Sequence, residues 1–450
     1  MTARAGVILA AGQGTRMKSA RPKVMHEIAG LPILGHVIAA MKGAGIARIV
    51  VVVAPHMEEV RGFAASLEAE SAVQERQLGT GHAAASAARA LAGFDGSLLV
   101  NNGDMPLAQS AMMGESLASA EKVGLSIVAF RPKDPAQYGR VILDAEGMLE
   151  RIVECKDATP AQRAVDLCCA GTYSAANAQK FFAWANKLGN ANAQGEYYLP
   201  EVPLIAKQDG VRCAVTVTDE ITVMGVNSRA ELANAERAMQ SRLRGKALDA
   251  GVGMTAPETV YLSHDTVLEP DAQLGPYVVM GPGVIVRSGA VIKAFSHLEG
   301  AEVGRGAIVG PYARLRPGAV IEEDVHIGNF VEVKMARIEK GAKANHLAYI
   351  GDARVGEGAN LGAGTITCNY DGFDKYFTDI GAGAFIGSDT ALVAPVKVAD
   401  GAYVGAGSVI TKNVGKDALA VTRAEQREVS GWAEKFRTRK KAEKAAKGKT

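Results

Sequence analysis

Along the second half of the chain a single aliphatic residue returns every six positions, at Leu268, Leu274, Met280, Val286, Ile292 and Leu298. Neither a helix nor an ordinary strand has that period. After one five-residue step the beat resumes at Val303, Val309, Leu315, Ile321, Ile327 and Val333, and it returns at Ile380, Ile386, Leu392, Val398, Val404 and Ile410. Gly, Pro, Asp and other small residues fill the intervals, as in Leu274-Gly-Pro-Tyr-Val. Each hexad therefore reads as a short strand followed by a corner. The pattern predicts a parallel β-helix: three hexads, about eighteen residues, close one coil, the aliphatic side chain points inward, and coils stack at about 4.8 Å. A Gly-rich β-sandwich would not hold the phase.

The first half has another texture. Apolar runs of strand length at 6–10, 49–53, 97–100 and 125–130 alternate with helical stretches over 32–42 and 81–92. That alternation predicts a doubly wound, Rossmann-like α/β domain, whose ligands sit beyond the carboxyl ends of the strands. Ser228-Arg-Ala-Glu231 is a capping box, with Leu232, Ala235, Met239 and Leu243 following at helical spacing. A connecting helix to about Leu248 is expected, ended by Gly251 and Gly253. The expected division is 1–227, a linker over 228–250, the repeat domain over 251–432 and a tail over 433–450.

Composition changes the picture in two places. The net charge is +2, but eight Lys/Arg against two Glu from Glu434 onward give the tail +6 and leave −4 on the remainder. The tail reads as solvated and disordered, without the interleaved aromatics of a nucleic-acid surface. Five cysteines, without metal-ligand spacing, fit a reducing cytosol. No run approaches 18 apolar residues, and the one at Ala5–Ala11 is broken by Gly12, so neither membrane insertion nor a signal peptide is expected.

Candidate chemistry follows the strands. After the first comes Leu9-Ala-Ala-Gly-Gln-Gly-Thr-Arg-Met, then Arg21-Pro-Lys23. Gly12 and Gly14 let backbone N–H groups approach a phosphate chain. Arg16 is placed to neutralise a departing pyrophosphate, and Lys23 to meet charge building on a transferred phosphorus. The dinucleotide fingerprint fails, because Met17 stands where its third glycine belongs. After Val100 comes Asn101-Asn-Gly-Asp104, an acid at a strand end suited to a phosphate-bound divalent cation.

These residues, with Gln77-Leu-Gly-Thr-Gly-His82, resemble the sugar-1-phosphate nucleotidylyltransferases. With the hexads and the segment Gly362-Ala-Gly-Thr-Ile-Thr-Cys-Asn-Tyr-Asp-Gly372, residues 5 to 432 resemble the bifunctional N-acetylglucosamine-1-phosphate uridylyltransferase / glucosamine-1-phosphate N-acetyltransferase family. The resemblance implies a cytoplasmic enzyme with two reactions. Acetyl-CoA acetylates glucosamine-1-phosphate, then N-acetylglucosamine-1-phosphate attacks UTP to give UDP-N-acetylglucosamine and pyrophosphate, feeding bacterial cell-wall and lipopolysaccharide precursors. The alternative is a monofunctional nucleotidylyltransferase whose hexads only assemble or regulate it.

At the first site the resemblance implies UTP against Leu9, Ala10, Ala11 and Gly12, with Gln74, Gly79 and Thr80 reading the uracil. Gly139, Glu154 and Asn227 would contact the acetylated sugar, and Asp104 with Asn227 would hold Mg²⁺. Two positions depart from the family. Asn102 replaces a frequent Tyr, and Cys169 stands where a sugar-contacting Asn is expected. A thiol is the poorer hydrogen-bonding group.

At the second site the interrupted beat between Leu315 and Asp379 marks the binding face. Acetyl transfer needs a base and donors to the tetrahedral oxygen. His346 matches the family's base, with Glu332 expected to orient it. Arg316, Lys334, Tyr349, Asn360, Asn369 and Tyr370 would bind glucosamine-1-phosphate. Ala363, Ser388, Ala406 and Arg423 would hold acetyl-CoA, with Cys368 nearby. The resemblance also implies a left-handed coil and a homotrimer.

Overall fold

A computed structural model describes residues 3–135, 138–192 and 194–447. Contacts divide it into two units. One comprises 1–249 with 261–266, the other 250–260 with 267–450.

The first unit is built on strands β1 (Arg4–Leu9), β2 (Arg48–Val53), β3 (Glu70–Val73), β4 (Ser97–Asn102), β5 (Gly124–Phe130), β6 (Arg140–Leu143), β7 (Leu149–Val153), β8 (Cys168–Ala175) and β9 (Arg212–Thr218). The main sheet runs β9-β5-β8-β4-β1-β2-β3, with the hairpin β6-β7 attached to β8. β1 to β4 pair in parallel, as crossover helices demand. Those helices are α1 (Ile33–Gly43), α2 (Glu58–Ser66) and α3 (Thr80–Ser86); α4 (Ser110–Val123) leads from β4 into β5. β8 runs antiparallel between β4 and β5, so the sheet is mixed. The run Val50 to Val53 is wholly buried, the expected state of a strand covered on both faces.

Helices α5 (Ala178–Ala185) and α6 (Val202–Gln208) precede α7 (Arg229–Asp249). The capping box forms with a one-residue shift. Ser228 Oγ accepts from the Glu231 N–H at 3.2 Å, while the Glu231 carboxylate accepts from the Asn227 N–H at 2.6 Å. Gln240, 2% exposed, bonds both backbone groups of Leu262, which ties 261–266 to α7 within this unit.

The second unit is a prism of parallel two- to seven-residue strands in three columns. Most coils advance 17 or 18 residues, as in Gln273 against Val291 and Val291 against Ile308; the coil that carries the hairpin advances 25, as in Asn360 against Phe385, and the last advances 16, as in Tyr403 against Leu419. The inward residues Val286, Ile292, Val309, Leu315, Val333 and Ile386 have no exposed surface. The coil also runs unbroken where the aliphatic beat fades. Ile338, Ala344, Ile350, Val355, Leu361 and Thr367 carry the inward column from Val333 to Ile380. Two five-residue steps and an inward Ala and Thr hid that continuity from the periodicity. Thr367 is tolerated inside because its hydroxyl bonds both backbone groups of Gly351, at 2.8 and 3.0 Å. The one-residue phase shift is a protruding hairpin, closed by the Tyr370–Lys375 bridge.

The tail corrects the expectation of disorder: Trp432–Lys447 forms α8. Lys, Arg, Glu and Ala are good helix formers, Trp432 stacks on Phe436 at 5.0 Å, and Lys440 pairs with Glu443 at 2.8 Å.

Candidate functional site

At the carboxyl end of β1 the chain turns through Gly14, at φ 62°, into a single 3₁₀ turn. A Cβ on Gly14 would lie 2.8 Å from that of Lys23, so the glycine loop packs directly on Lys23. At the end of β4 the Gly103 N–H donates to Leu9 O at 2.9 Å, which seats Asp104 beside the same loop. The Val226 N–H donates to Asp104 O at 2.8 Å and brings Asn227 to the same place. Three distant segments thus converge. The Lys23 ammonium donates to Asp104 Oδ2 at 2.6 Å and to Asn227 Oδ1 at 2.9 Å.

The adjoining cavity, about 270 Å³, is lined by Leu9, Ala10, Ala11, Gly12, Lys23, Gln74, Gly79, Thr80 and Asp104 among others. Gly79 sits at φ 108°, and a Cβ there would lie 2.7 Å from Tyr197 O. No other residue fits that turn. The buried Gln74 amide donates to Gly79 O at 3.2 Å and lies 3.1 Å from His82 Nδ1, so its orientation is fixed. Arg16 is on the same loop but exposed, and it does not line the cavity.

A second cavity of about 240 Å³ shares Thr80, Asn102 and Glu196 with the first and contains Gly139, Glu154 and Cys169. The Cys169 N–H donates to Gly139 O at 2.8 Å, and a Cβ on Gly139 would lie 3.2 Å from Glu154 Oε1. Burial, with Asp157 nearby, raises the Glu154 carboxyl above the usual carboxylate range. Burial pushes the Cys169 thiol up to about 11, and its sulfur lies 3.4 Å from the Tyr173 hydroxyl. The thiol therefore stays neutral at physiological pH. Gln77, Glu196, Gln194 and Tyr198 also line these cavities. Gln77 stood inside the quoted motif; Gln194 and Tyr198 carry no periodic or charge signal that could have marked them.

In the second unit Lys343 pairs with Asn360, Asn360 with Phe385 and Phe385 with Tyr403. Three residues on from each, His346, Ala363, Ser388 and Ala406 occupy equivalent corners of successive coils. Arg423 joins them, donating from Nη1 to Ala406 O at 2.6 Å. The neighbouring corner position is αL throughout. Tyr277, Phe295, Tyr312 and Phe330 fill it in the early coils as one stack with centroid spacings of 4.9, 4.9 and 5.3 Å. Leu347, Gly364, Asp389 and Gly407 follow, so the paving stops one coil before His346 and smaller residues border the column above it.

The ring of His346 is oriented by Asn329, not by Glu332 as expected. Asn329 is its register partner one coil earlier, with Oδ1 2.8 Å from His346 Nδ1. Glu332 is engaged by Arg316 at 2.8 Å and Arg314 at 3.5 Å.

Arg316 and Lys334 stand on one face, where Lys334 is the register partner of Gly351. The Lys375 ammonium beside Lys334, with Arg316 further off, lowers the Lys334 pKa. Lys375 belongs to the hairpin and was missed, because one lysine in an exposed loop has no pattern. The Tyr349 hydroxyl and the Asn369 amide flank Gly351, 2.4 and 2.8 Å from where its Cβ would be. The Asn369 amide also donates to Asp352. Tyr370 is exposed on the hairpin, its hydroxyl donating to Gly372 O at 2.6 Å. Asn360 lies in a different column, on the strand leading to the Ala363 corner. Cys368 is half-buried.

Comparison with known proteins agrees with both halves. Residues 6–172 match the MobA-like NTP transferase domain, and 300–334 with 377–412 match the bacterial transferase hexapeptide (six repeats) family. The chain is 52% identical over 444 residues to the bifunctional protein GlmU of Paramagnetospirillum magneticum, covering 98% of each. It is 54% identical over 440 residues to that of Rhodospirillum rubrum, covering 97% of this chain and 98% of the relative. Against that of Acidiphilium cryptum it is 54% identical over 437 residues, covering 96% and 98%. With both domain types present in one chain and identity of this order along nearly its whole length, the protein belongs to the GlmU family of bifunctional proteins.

Proposed function

We propose that the chain makes UDP-N-acetylglucosamine by acetylating glucosamine-1-phosphate and then uridylylating the product. The observation that carries the reading is the presence, each in its own unit, of two groupings with different chemistry: a cation-and-oxygen cluster beside a glycine loop, and a coil that bears a side-chain-oriented histidine on one column of corners and a cluster of cations on another column.

In the first reaction the sugar amine attacks the acetyl-CoA carbonyl, CoA leaves as thiolate, and His346 takes the amine proton. Asn329 holds the imidazole, leaving Nε2 for the amine. Arg316, Lys334 and Lys375 meet the sugar phosphate, and the depressed Lys334 pKa reflects a place that awaits a dianion. Tyr349, Asn360, Asn369 and Tyr370 supply hydrogen bonds to the sugar. Ala363, Ser388 and Ala406 offer a corner for the CoA arm, and Arg423 a partner for its phosphates.

In the second reaction a phosphate oxygen of N-acetylglucosamine-1-phosphate attacks the α-phosphorus of UTP, and the bond to the β-phosphate breaks. The Leu9–Gly12 loop cradles the triphosphate while Lys23 and Arg16 take its charge. Gln74, Gly79 and Thr80 position the uracil, and Gly139, Glu154, Cys169 and Asn227 the acetylated sugar.

Asp104 and Asn227 fit a divalent cation, since their oxygens already converge on one positive charge. Bound there, Mg²⁺ would neutralise the phosphates, which would complete its shell with water. We assign the assembly as a homotrimer, a reading supported by the exposed aromatic stack along the coil. Cytoplasmic location is supported by five free cysteines, and among the described residues no helix is long and apolar enough to cross a membrane.

The test supplies glucosamine-1-phosphate, acetyl-CoA, UTP and Mg²⁺, and follows CoA and pyrophosphate separately. His346→Ala is expected to stop CoA release. When N-acetylglucosamine-1-phosphate is supplied, His346→Ala should still release pyrophosphate and Asp104→Ala should not. Wild-type protein that releases no CoA would reduce the second unit to an assembly module.

A further inference from the structure

The two oxygens assigned to the divalent cation are already in use. The Lys23 ammonium lies 2.6 Å from Asp104 Oδ2 and 2.9 Å from Asn227 Oδ1, with the Lys23 side chain 14% exposed. A magnesium ion would need the same oxygens at about 2.0–2.1 Å. It could not tolerate an ammonium at that distance in a partly desolvated place, where like charges repel strongly. Lysine and metal are therefore alternatives.

The geometry also supplies the exchange. The stem of Lys23 is fixed where its Cβ packs against Gly14, so only the flexible outer carbons need to turn. Turning lifts the ammonium off the two oxygens and into the open volume of the cavity that Gly12 and Asp104 both line, where a triphosphate would offer it new oxygens. Without such an anion, leaving Asp104 would cost Lys23 a charge-assisted hydrogen bond for nothing in return.

Resting on the assignment of Asp104 and Asn227 as metal ligands, we propose that Lys23 is a built-in counter-cation that closes the metal site until nucleotide phosphate draws it away. Metal and nucleotide binding are then coupled through one side chain. The resident ammonium also keeps the two oxygens together, so the site is organised before the metal arrives. The apparent metal affinity of nucleotide-free protein is the intrinsic affinity scaled by the fraction of molecules with Lys23 turned out.

The experiment titrates nucleotide-free full-length protein with Mn²⁺ and reads the free ion by electron paramagnetic resonance. Lys23→Met removes the ammonium and keeps the stem; Arg16→Met removes a nearby charge that does not touch the oxygens. Lys23→Met is expected to tighten Mn²⁺ by about tenfold or more, within the usual range of coupling between sites, and Arg16→Met much less. Adding Asp104→Ala to Lys23→Met should abolish the gain, which places the ion. Lys23→Gln, with unchanged thermal unfolding, guards against a misfolded variant. Equal tightening in the Lys23 and Arg16 variants would reduce the effect to a general field and overturn the proposal. So would unchanged, weaker or absent Mn²⁺ binding in Lys23→Met. The pyrophosphate assay with Asp104→Ala stands apart: its failure would remove the metal-ligand assignment itself.

Discussion

Glu154, on the wall of the second cavity, is a carboxyl held in place at the expense of stability. Its carboxyl lies among apolar and acidic neighbours that raise its pKa, so ionisation opposes folding. A raised carboxyl contributes stability that is full below the ordinary carboxylate range and is lost as pH rises through the folded value. Glu154→Gln is therefore expected to melt above wild type at pH 8, with the gain fading toward pH 4. Lower stability of the variant at pH 8 would show that the carboxylate has a partner which burial conceals. Asn329 is the corresponding positioning residue in the second unit. Asn329→Leu frees the His346 ring, and kcat for CoA release should fall by about ten- to a hundredfold, within the range of general-base effects. KM should hold, and the acid limb of the pH profile should move. A change confined to KM would instead place Asn329 among the substrate contacts. Of these two residues only Glu154 was named beforehand, and only through the family resemblance. Asn329 became visible through register alone, since it lies seventeen residues from His346.

At the scale of elements, the coil tolerates polar interior residues only where the backbone answers them. Thr367 is fully buried, and its hydroxyl serves both the N–H and the carbonyl of Gly351. Thr367→Val keeps the shape and leaves a buried N–H unpaired, at a cost of about 1–3 kcal/mol. Chemical denaturation should show that loss; an unchanged midpoint would mean that the coil relaxes enough to pair Gly351 elsewhere. The hexad pattern seemed to stop at Val333 because the step to Ile338 is five residues, and Thr367 is one of the inward residues that kept it from being picked up again. Periodicity counts apolar side chains, and an inward Ala344 or Thr367 satisfies the coil without registering in the count. The first domain erred in the other direction. Its parallel strands were plain in Val-rich runs such as Ile49 to Val53, but the antiparallel β8 was not, because strand direction depends on what the chain does between strands.

For the whole molecule, two chemistries in one chain predict separable losses, and the assigned assembly predicts light scattering at three times the mass of the chain. A monomer at working concentration would sink the trimer and leave the exposed Tyr277, Phe295, Tyr312 and Phe330 stack without a partner. The sequence by itself determined the two architectures, since strand and coil each impose a period that side-chain burial must obey. It also marked the glycine loop, Lys23, Asp104 and His346, where residue type and local spacing limit the chemistry. Tertiary structure alone decided which groups meet. Lys23, Asp104 and Asn227 span more than two hundred positions and converge on one charge. Lys375 comes to stand against Lys334, and Asn329 rather than Glu332 holds His346. Burial repeats along a chain and leaves a period behind. Contacts between distant residues are made by strand register and loop closure, and they leave none.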